Sequence, residues 1–202
     1  MKVDSVRLST PDCHAEVNSD ESLDRVQNAL ARAQAGESAA FRELVSTHQS
    51  GIHSLALRML GVREDAQELA QDVFVLLHRH LSSIESAPHL HAWLRKTVCH
   101  RAIDRLRARP RYITVALEAA EGQEAPGQEA DPILERQLRR LIATLAPVPR
   151  AVVLLRYQED LDPPEISAVL AMPLNTVKSH LRRSLTLIRS RCAQAAGLDI
   201  HD

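Results

Sequence analysis

The run LDPPEISAVLAMPLNTVKSHLRRSLTLIRSR, from Leu161 to Arg191, constrains the fold of this chain more than any other stretch. It predicts a short helix, a tight turn and a longer second helix. Asp162 can cap the first helix by accepting backbone N–H groups. Pro163 suits the first helical position, where an N–H would have no partner, and Glu165 completes a capping-box pattern. Ile166, Val169 and Leu170 form one apolar stripe, small Ser167 leaves room for a crossing helix, and Ala171, Met172 and Pro173 break the pattern. In the second helix Val177, Leu181, Leu185 and Ile188 recur on one side. The opposite arc then holds Asn175, Lys178, Ser179, Arg182, Arg183, Thr186 and Arg189, and no carboxylate occurs between Asn175 and Arg191. A solvated helix face usually carries both signs of charge. A face that is basic and hydrogen-bonding throughout suits a DNA major groove, where side chains reach phosphates and base edges together.

The rest of the chain supports a helical protein. Of its 202 residues 45% are hydrophobic and only 2% aromatic, so aliphatic helix packing must build the core. No convincing alternating strand is present, and the length allows one large or two small domains. The fold class expected is all-α. A net charge of −1 hides a segregated distribution: Arg95 to Arg111 holds seven Lys/Arg against Asp104 alone, and Glu118 to Asp131 holds five acids and no base. Such a chain can bind DNA without a basic pI. Cys13, Cys99 and Cys192 are odd in number and lack metal-type spacing, which fits a reduced, cytoplasmic protein. No apolar run approaches a membrane span and no secretory signal opens the chain, so no membrane insertion of its own is expected.

In chain order, residues 1–22 read as a flexible N-terminal extension; its Cys13-His14 pair is too isolated to hold a metal well. Helices are predicted from Leu23 to Ala35, with Gly36 just after, and from Ser38 to about Leu60. The cleanest amphipathic pattern runs from Arg63 to Leu81, with Ala66, Leu69, Ala70, Val73, Phe74 and Leu77 inward and Glu64, Asp65, Glu68, Gln71 and Asp72 outward. The helix dipole alone favours that acidic first half, and a basic protein partner could equally dock on it. After a loop from Ser82 to Pro88, a helix from about Leu90 to Arg107 carries Trp93 and Leu94 among Arg95, Lys96, Arg101, Arg105 and Arg107. Residues 110–131 read as an extended acidic linker. Helices from Ile133 to Leu145 and Val148 to Tyr157 lead into the opening motif. The organisation expected is two helical domains, 23–109 and 132–195, with a tail at 196–202.

The segment LAPVPRAVVLLRYQEDLDPPEISAVLAMPLNTVKSHLRRSL resembles the C-terminal, promoter-reading domain of bacterial extracytoplasmic-function (ECF) sigma factors, a branch of the sigma-70 family. Leu145, Pro147, Arg150, Leu154-Leu155-Arg156-Tyr157, Glu165-Ile166 and Thr176-Val177-Lys178-Ser179 with Leu181 carry that likeness. Independently, DAQELAQDVFVLLHRHL followed by HAWLRKTVCHRAIDRLRAR resembles the family's N-terminal domain, through Asp65-Ala66, Gln71-Asp72, Phe74, Trp93-Leu94, Ala102, Asp104 and Arg107. Three positions depart from the pattern: His100 replaces a common asparagine, His78 a common aromatic, and Ala171 the usual turn glycine.

The resemblance implies a transcription initiation factor that binds core RNA polymerase and promoter DNA, with an anti-sigma factor as a further partner. On these residues it implies that Glu68, Gln71 and Asp72 meet the polymerase clamp. Trp93, Lys96, His100, Arg101, Asp104 and Arg107 would read the −10 element, where an unstacked base is held in a protein pocket. Asn175, Thr176, Lys178, Ser179, Arg182 and Arg183 would read the −35 element. The alternative is a stand-alone helix-turn-helix repressor or activator, which would bind a palindromic operator unaided. No nucleophile–base order, phosphate loop or carboxylate pair points to an enzyme, and no cofactor is expected; Asp104 reads as a partner for neighbouring arginines. His89, His91, Cys99 and His100 invite a metal reading, but the local pair is weak and Cys99 and His100 point to different helix sides. Cys192 reads as a buried extension of the second helix's apolar seam.

Overall fold

The computed structural model describes residues 19–108 and 132–195, and every described segment of regular structure is helical. Helix α1 spans Ser19–Gln34, α2 Ser38–Leu60, α3 Arg63–His80 and α4 Ala87–Ala108, with one 3₁₀ turn at Leu81–Ser83. The second group comprises α5 Pro132–Ala143, α6 Pro147–Tyr157, α7 Pro163–Leu170 and α8 Leu174–Ala195. The predicted extension, acidic linker and C-terminal tail, with Cys13 and His14, lie largely outside the described residues. Helix α1 corrects one boundary. It starts four residues before Leu23, on a Ser-Asp-Glu sequence that suits a helix N-terminus. Helix α4 likewise starts at Ala87, with Pro88 in its first turn, where a missing N–H leaves no bond unmade.

The first four helices bury one aliphatic core. Leu30 of α1, Leu44, Leu55 and Met59 of α2, Leu69 and Leu77 of α3, and Leu90 and Leu94 of α4 are all essentially inaccessible. Each such side chain contributes about 1.5–3 kcal/mol relative to exposure. Two amides of α1 fix where α4 begins. Gln34 Nε2 donates to the carbonyls of Leu81 (2.9 Å) and Ile84 (2.7 Å), and Gln27 Oε1 accepts the Ala87 N–H at 2.8 Å. Gly61 closes α2 in the left-handed region (φ 79°), its N–H donating to Leu57 O at 2.7 Å.

In the second group the helix-turn-helix forms as its sequence predicts. The Asp162/Glu165 capping box is present, with the Asp162 N–H donating to Glu165 Oε2 at 2.7 Å. Ala171 ends α7 at φ 51°, ψ 46°, a conformation that glycine adopts more cheaply by roughly 1 kcal/mol. Ser167 offsets part of that cost: its hydroxyl donates to Met172 O at 2.5 Å and its carbonyl accepts the Met172 N–H at 3.1 Å. So Ser167 secures the turn as well as leaving room for a helix.

The two groups pack together. Helix α4 lies against α6 and α7, and α2 lies against α5 and α6, so the buried residues form one continuous cluster. Buried Arg150 of α6 crosses this boundary and donates to Met59 O at the end of α2, 2.7 Å away.

A histidine pair lies in the α2–α4 seam, His48 against His91 with ring centroids 4.9 Å apart. His48 Nδ1–H donates to Leu44 O at 2.8 Å, which leaves its buried Nε2 as an acceptor without a partner. Burial first, then the neighbouring His48 and Arg95, push His91 down to about 4, and burial also lowers His48. The unfolded chain, with an ordinary His91 near 6.5, therefore binds more protons than the folded one between those values. Stability is complete above about pH 6.5 and is lost as pH falls toward 4. Screening at this half-exposed ring limits the loss to about 1–2 kcal/mol. Thermal melts between pH 7 and pH 4 should show Tm falling by several degrees, and His91→Asn should flatten that dependence. An equally steep curve for the variant would refute the assignment.

Candidate nucleic-acid interface

Val177, buried on α8, and half-buried Leu181, Leu185 and Ile188 seat that helix on its neighbours. Ser184, 4% exposed, is enclosed with them, and Cys192 is half-buried where a fully buried residue was expected. The opposite arc stands in solvent: Asn175, Thr176, Lys178, Arg182 and Arg183 are exposed and Ser179 is partly so. All six predicted residues thus share one convex surface, over about two and a half turns of helix. No described ion pair involves Lys178, Arg182 or Arg183, so these cations remain available to an anionic ligand.

A second basic surface lies on α4. Trp93, Lys96, His100, Arg101 and Asp104 line one shallow groove, whose other wall includes Leu76 and His80 of α3. Arg107 is exposed a turn further on and does not line it. The groove joins an aromatic floor to donors and one acceptor, a combination able to hold an unstacked base. His80 was not anticipated. Its ring lies 6.0 Å from that of Trp93, tilted by 36°, and its Nδ1–H donates to Leu76 O at 2.9 Å. That pairing depends on how α3 and α4 pack, and no spacing within one helix announces it. The expectation that Asp104 pairs with neighbouring arginines is corrected: it lines the groove, and the described ion pairs of α4 run from Arg95 and Arg105.

Glu68, Gln71 and Asp72 form an exposed ridge on α3. Arg105 of α4 reaches across to it, donating to Asp72 Oδ2 (2.5 Å), Glu68 Oε1 (3.4 Å) and Asp65 O (3.2 Å). One guanidinium thus fixes two carboxylates of the ridge without covering them.

The four residues that invited a metal reading are dispersed. His89 Nδ1 accepts the Glu85 N–H, His91 packs on His48, and His100 faces α7. Burial pushes the Cys99 thiol up to about 12, which makes it unreactive. Among the described residues no three His, Cys, Asp or Glu side chains gather as a cation site. No described helix is long and apolar enough to cross a membrane.

Comparison with known proteins locates two matched modules. Residues 44–112 match the family described as Sigma-70 region 2, and residues 135–188 match Sigma-70, region 4. The chain is 33% identical to the RNA polymerase sigma-E factor of Streptomyces coelicolor, over 76% of this chain and 86% of that one. It is 25% identical to the ECF RNA polymerase sigma factor SigW of Bacillus subtilis, over 82% and 96% respectively. Among solved structures the fold is similar to CnrH, determined in complex with the cytosolic domain of CnrY. The TM-score is 0.60 at 21% identity, covering 85% of this chain and 98% of that one. It is also similar to the sigma factor RpoE of Bartonella quintana, determined with the anti-sigma factor NepR. There the TM-score is 0.59 at 17% identity, covering 74% and 94%.

Proposed function

We infer the roles of individual residues from one premise: this chain belongs to the sigma-70 family, in its ECF branch. It is a transcription initiation factor, which binds core RNA polymerase and directs it to promoters. Its chemistry is recognition without catalysis, carried out in the cytoplasm. An anti-sigma factor restrains it, as NepR accompanies the Bartonella protein.

The observation that carries the residue assignments is the exposed arc of α8, basic and free of carboxylates. Asn175, Thr176, Lys178, Ser179, Arg182 and Arg183 read the −35 element from the major groove, their longer members also neutralising phosphates. The groove of Trp93, Lys96, His100, Arg101 and Asp104 takes the unstacked −10 base, with Arg107 on the adjoining backbone. Trp93 offers a stacking surface, and Asp104 can accept from an exocyclic amine. Glu68, Gln71 and Asp72 dock on the polymerase, with Arg105 holding the two carboxylates in place. An independent helix-turn-helix regulator would leave this ridge without a use.

Reconstitution with core polymerase tests the assignment. The purified chain should co-elute with core enzyme and support transcription from a subset of genomic fragments, in a steeply salt-sensitive way. Asp72→Arg should weaken capture about tenfold or more, since it opposes Arg105 as well as the partner's cations. A chain that ignores core enzyme yet binds a palindromic duplex alone would overturn it.

A further inference from the structure

We propose that His80 of α3 is a promoter-reading residue: with Trp93 it stacks on the unstacked −10 base, and its free ring nitrogen selects a base that carries an exocyclic amine. This rests on the assignment of the α4 groove to the −10 element. It adds a wall from α3, since every residue assigned to that element lies on α4.

His80 is the last residue of α3 and is exposed, outside the buried core. Its position is nevertheless fixed. Its carbonyl accepts the Ser83 hydroxyl at 2.7 Å, and Gln34 of α1 holds the carbonyls of Leu81 and Ile84 just beyond. Its Nδ1–H donates to Leu76 O at 2.9 Å, which sets the rotation of the ring. The ring centre lies 6.0 Å from that of Trp93 at a tilt of 36°, and both rings line the groove that holds Lys96, Arg101 and Asp104. One base can therefore touch both rings, and every base has a π-face, so stacking there supplies affinity. A histidine in a last helical turn can serve the helix dipole alone, but that role does not need an indole beside it.

The hydrogen-bond inventory of the groove gives the selectivity. A carbonyl only accepts, so the contact with Leu76 O places the proton on Nδ1 and leaves Nε2 of the neutral ring as an acceptor. Asp104 adds carboxylate oxygens to the same groove. The fixed donors nearby, Thr97 Oγ1 and His100 Nε2, are bonded to the carbonyls of Trp93 and Val169. Lys96 and Arg101 are exposed and long enough to turn to phosphates. The polar atoms left for a base edge are acceptors. Cytosine N4 and adenine N6 carry amines that donate to them, whereas thymine presents its O4 acceptor and is repelled.

The test uses the full chain in holoenzyme with core polymerase, bound to fork-junction duplexes built on a promoter fragment that it transcribes. Single-stranded non-template positions of the −10 element are replaced one at a time by dC, dT or an abasic site, and affinity is read by anisotropy of a fluorescein label. The held base is the position where the abasic site weakens binding most, about tenfold or more. There the wild type should prefer dC to dT about fivefold. His80→Ala should weaken binding of the dC duplex about tenfold and leave the abasic duplex unchanged, since that duplex offers no base to stack on. His80→Phe keeps an aromatic face without the acceptor. It should hold the dT duplex as the wild type does, and its preference for dC should fall to about twofold, the remainder coming from Asp104. Equal effects of His80→Ala on the dC and abasic duplexes, or an unchanged dC preference in His80→Phe, would overturn the proposal. A holoenzyme that fails to form, or that transcribes no fragment, would refute the assigned function and the role of His80 with it.

Discussion

Replacing Lys178 and Arg182 together by alanine is expected to reduce transcription from a −35-dependent promoter by roughly 30-fold or more, with capture of core polymerase unchanged. The two side chains are four residues apart on α8, so they stand one above the other on the exposed arc. Neither enters a described ion pair, and surface substitutions of this kind usually change stability by less than about 0.5 kcal/mol. Activity should therefore fall through lost DNA contacts and not through unfolding. A bidentate base contact is worth about 1–3 kcal/mol, and a phosphate contact contributes to the salt dependence. Two readouts separate these roles. Anisotropy of a labelled promoter duplex with holoenzyme, measured against salt, should lose about one from its slope per phosphate contact removed. A change confined to one base pair would identify a base-reading residue. Loss of polymerase capture instead would mean that the roles of the two domains have been exchanged.

The parts of this molecule legible in the sequence are those whose signals are local. The Asp162–Glu165 box, Gly36 and the seam led by Val177 each act within a few residues of where they are written, and the structure realises them. Five of the six −10 candidates share a groove because helical spacing places Trp93, Lys96, His100, Arg101 and Asp104 on neighbouring turns, with Arg107 beyond it. What escaped the sequence depends on backbone carbonyls or on tertiary approach. His100 bonds to a carbonyl 69 residues away, and Arg105 selects Glu68 and Asp72 from a ridge that offered several acids. A carbonyl is present at every position, so its use as a partner leaves no trace in composition or period. The contacts between the two domains at His100 and Arg150 were hidden for that reason, since both end on main-chain oxygens.

Arg150 is where that hidden chemistry carries most energy. The residue is 1% exposed and, among the described residues, forms no ion pair with a carboxylate. It donates to Met59 O at the end of α2, to Ala143 O at the end of α5 and to Leu145 O. The last carbonyls of a helix lack intrahelical partners and carry its negative dipole end, so one cation caps two helices from the two domains. Burial lowers its pKa to about 10, well above neutrality, so the charge persists. Replacing a buried ion pair by apolar residues is often harmless because both charges leave together. Here the acceptors are main chain and cannot be removed. Arg150→Met should strand three carbonyls, each worth about 1 kcal/mol, offset in part by relief from burying a cation. The expected loss is about 2–4 kcal/mol, a fall in Tm of roughly 5–15 °C. Arg150→Lys keeps the charge but cannot span all three oxygens, so it should fall between the two. Circular-dichroism melts decide this directly: a methionine variant as stable as the wild type would mean that the carbonyls find other donors and that Arg150 holds nothing together.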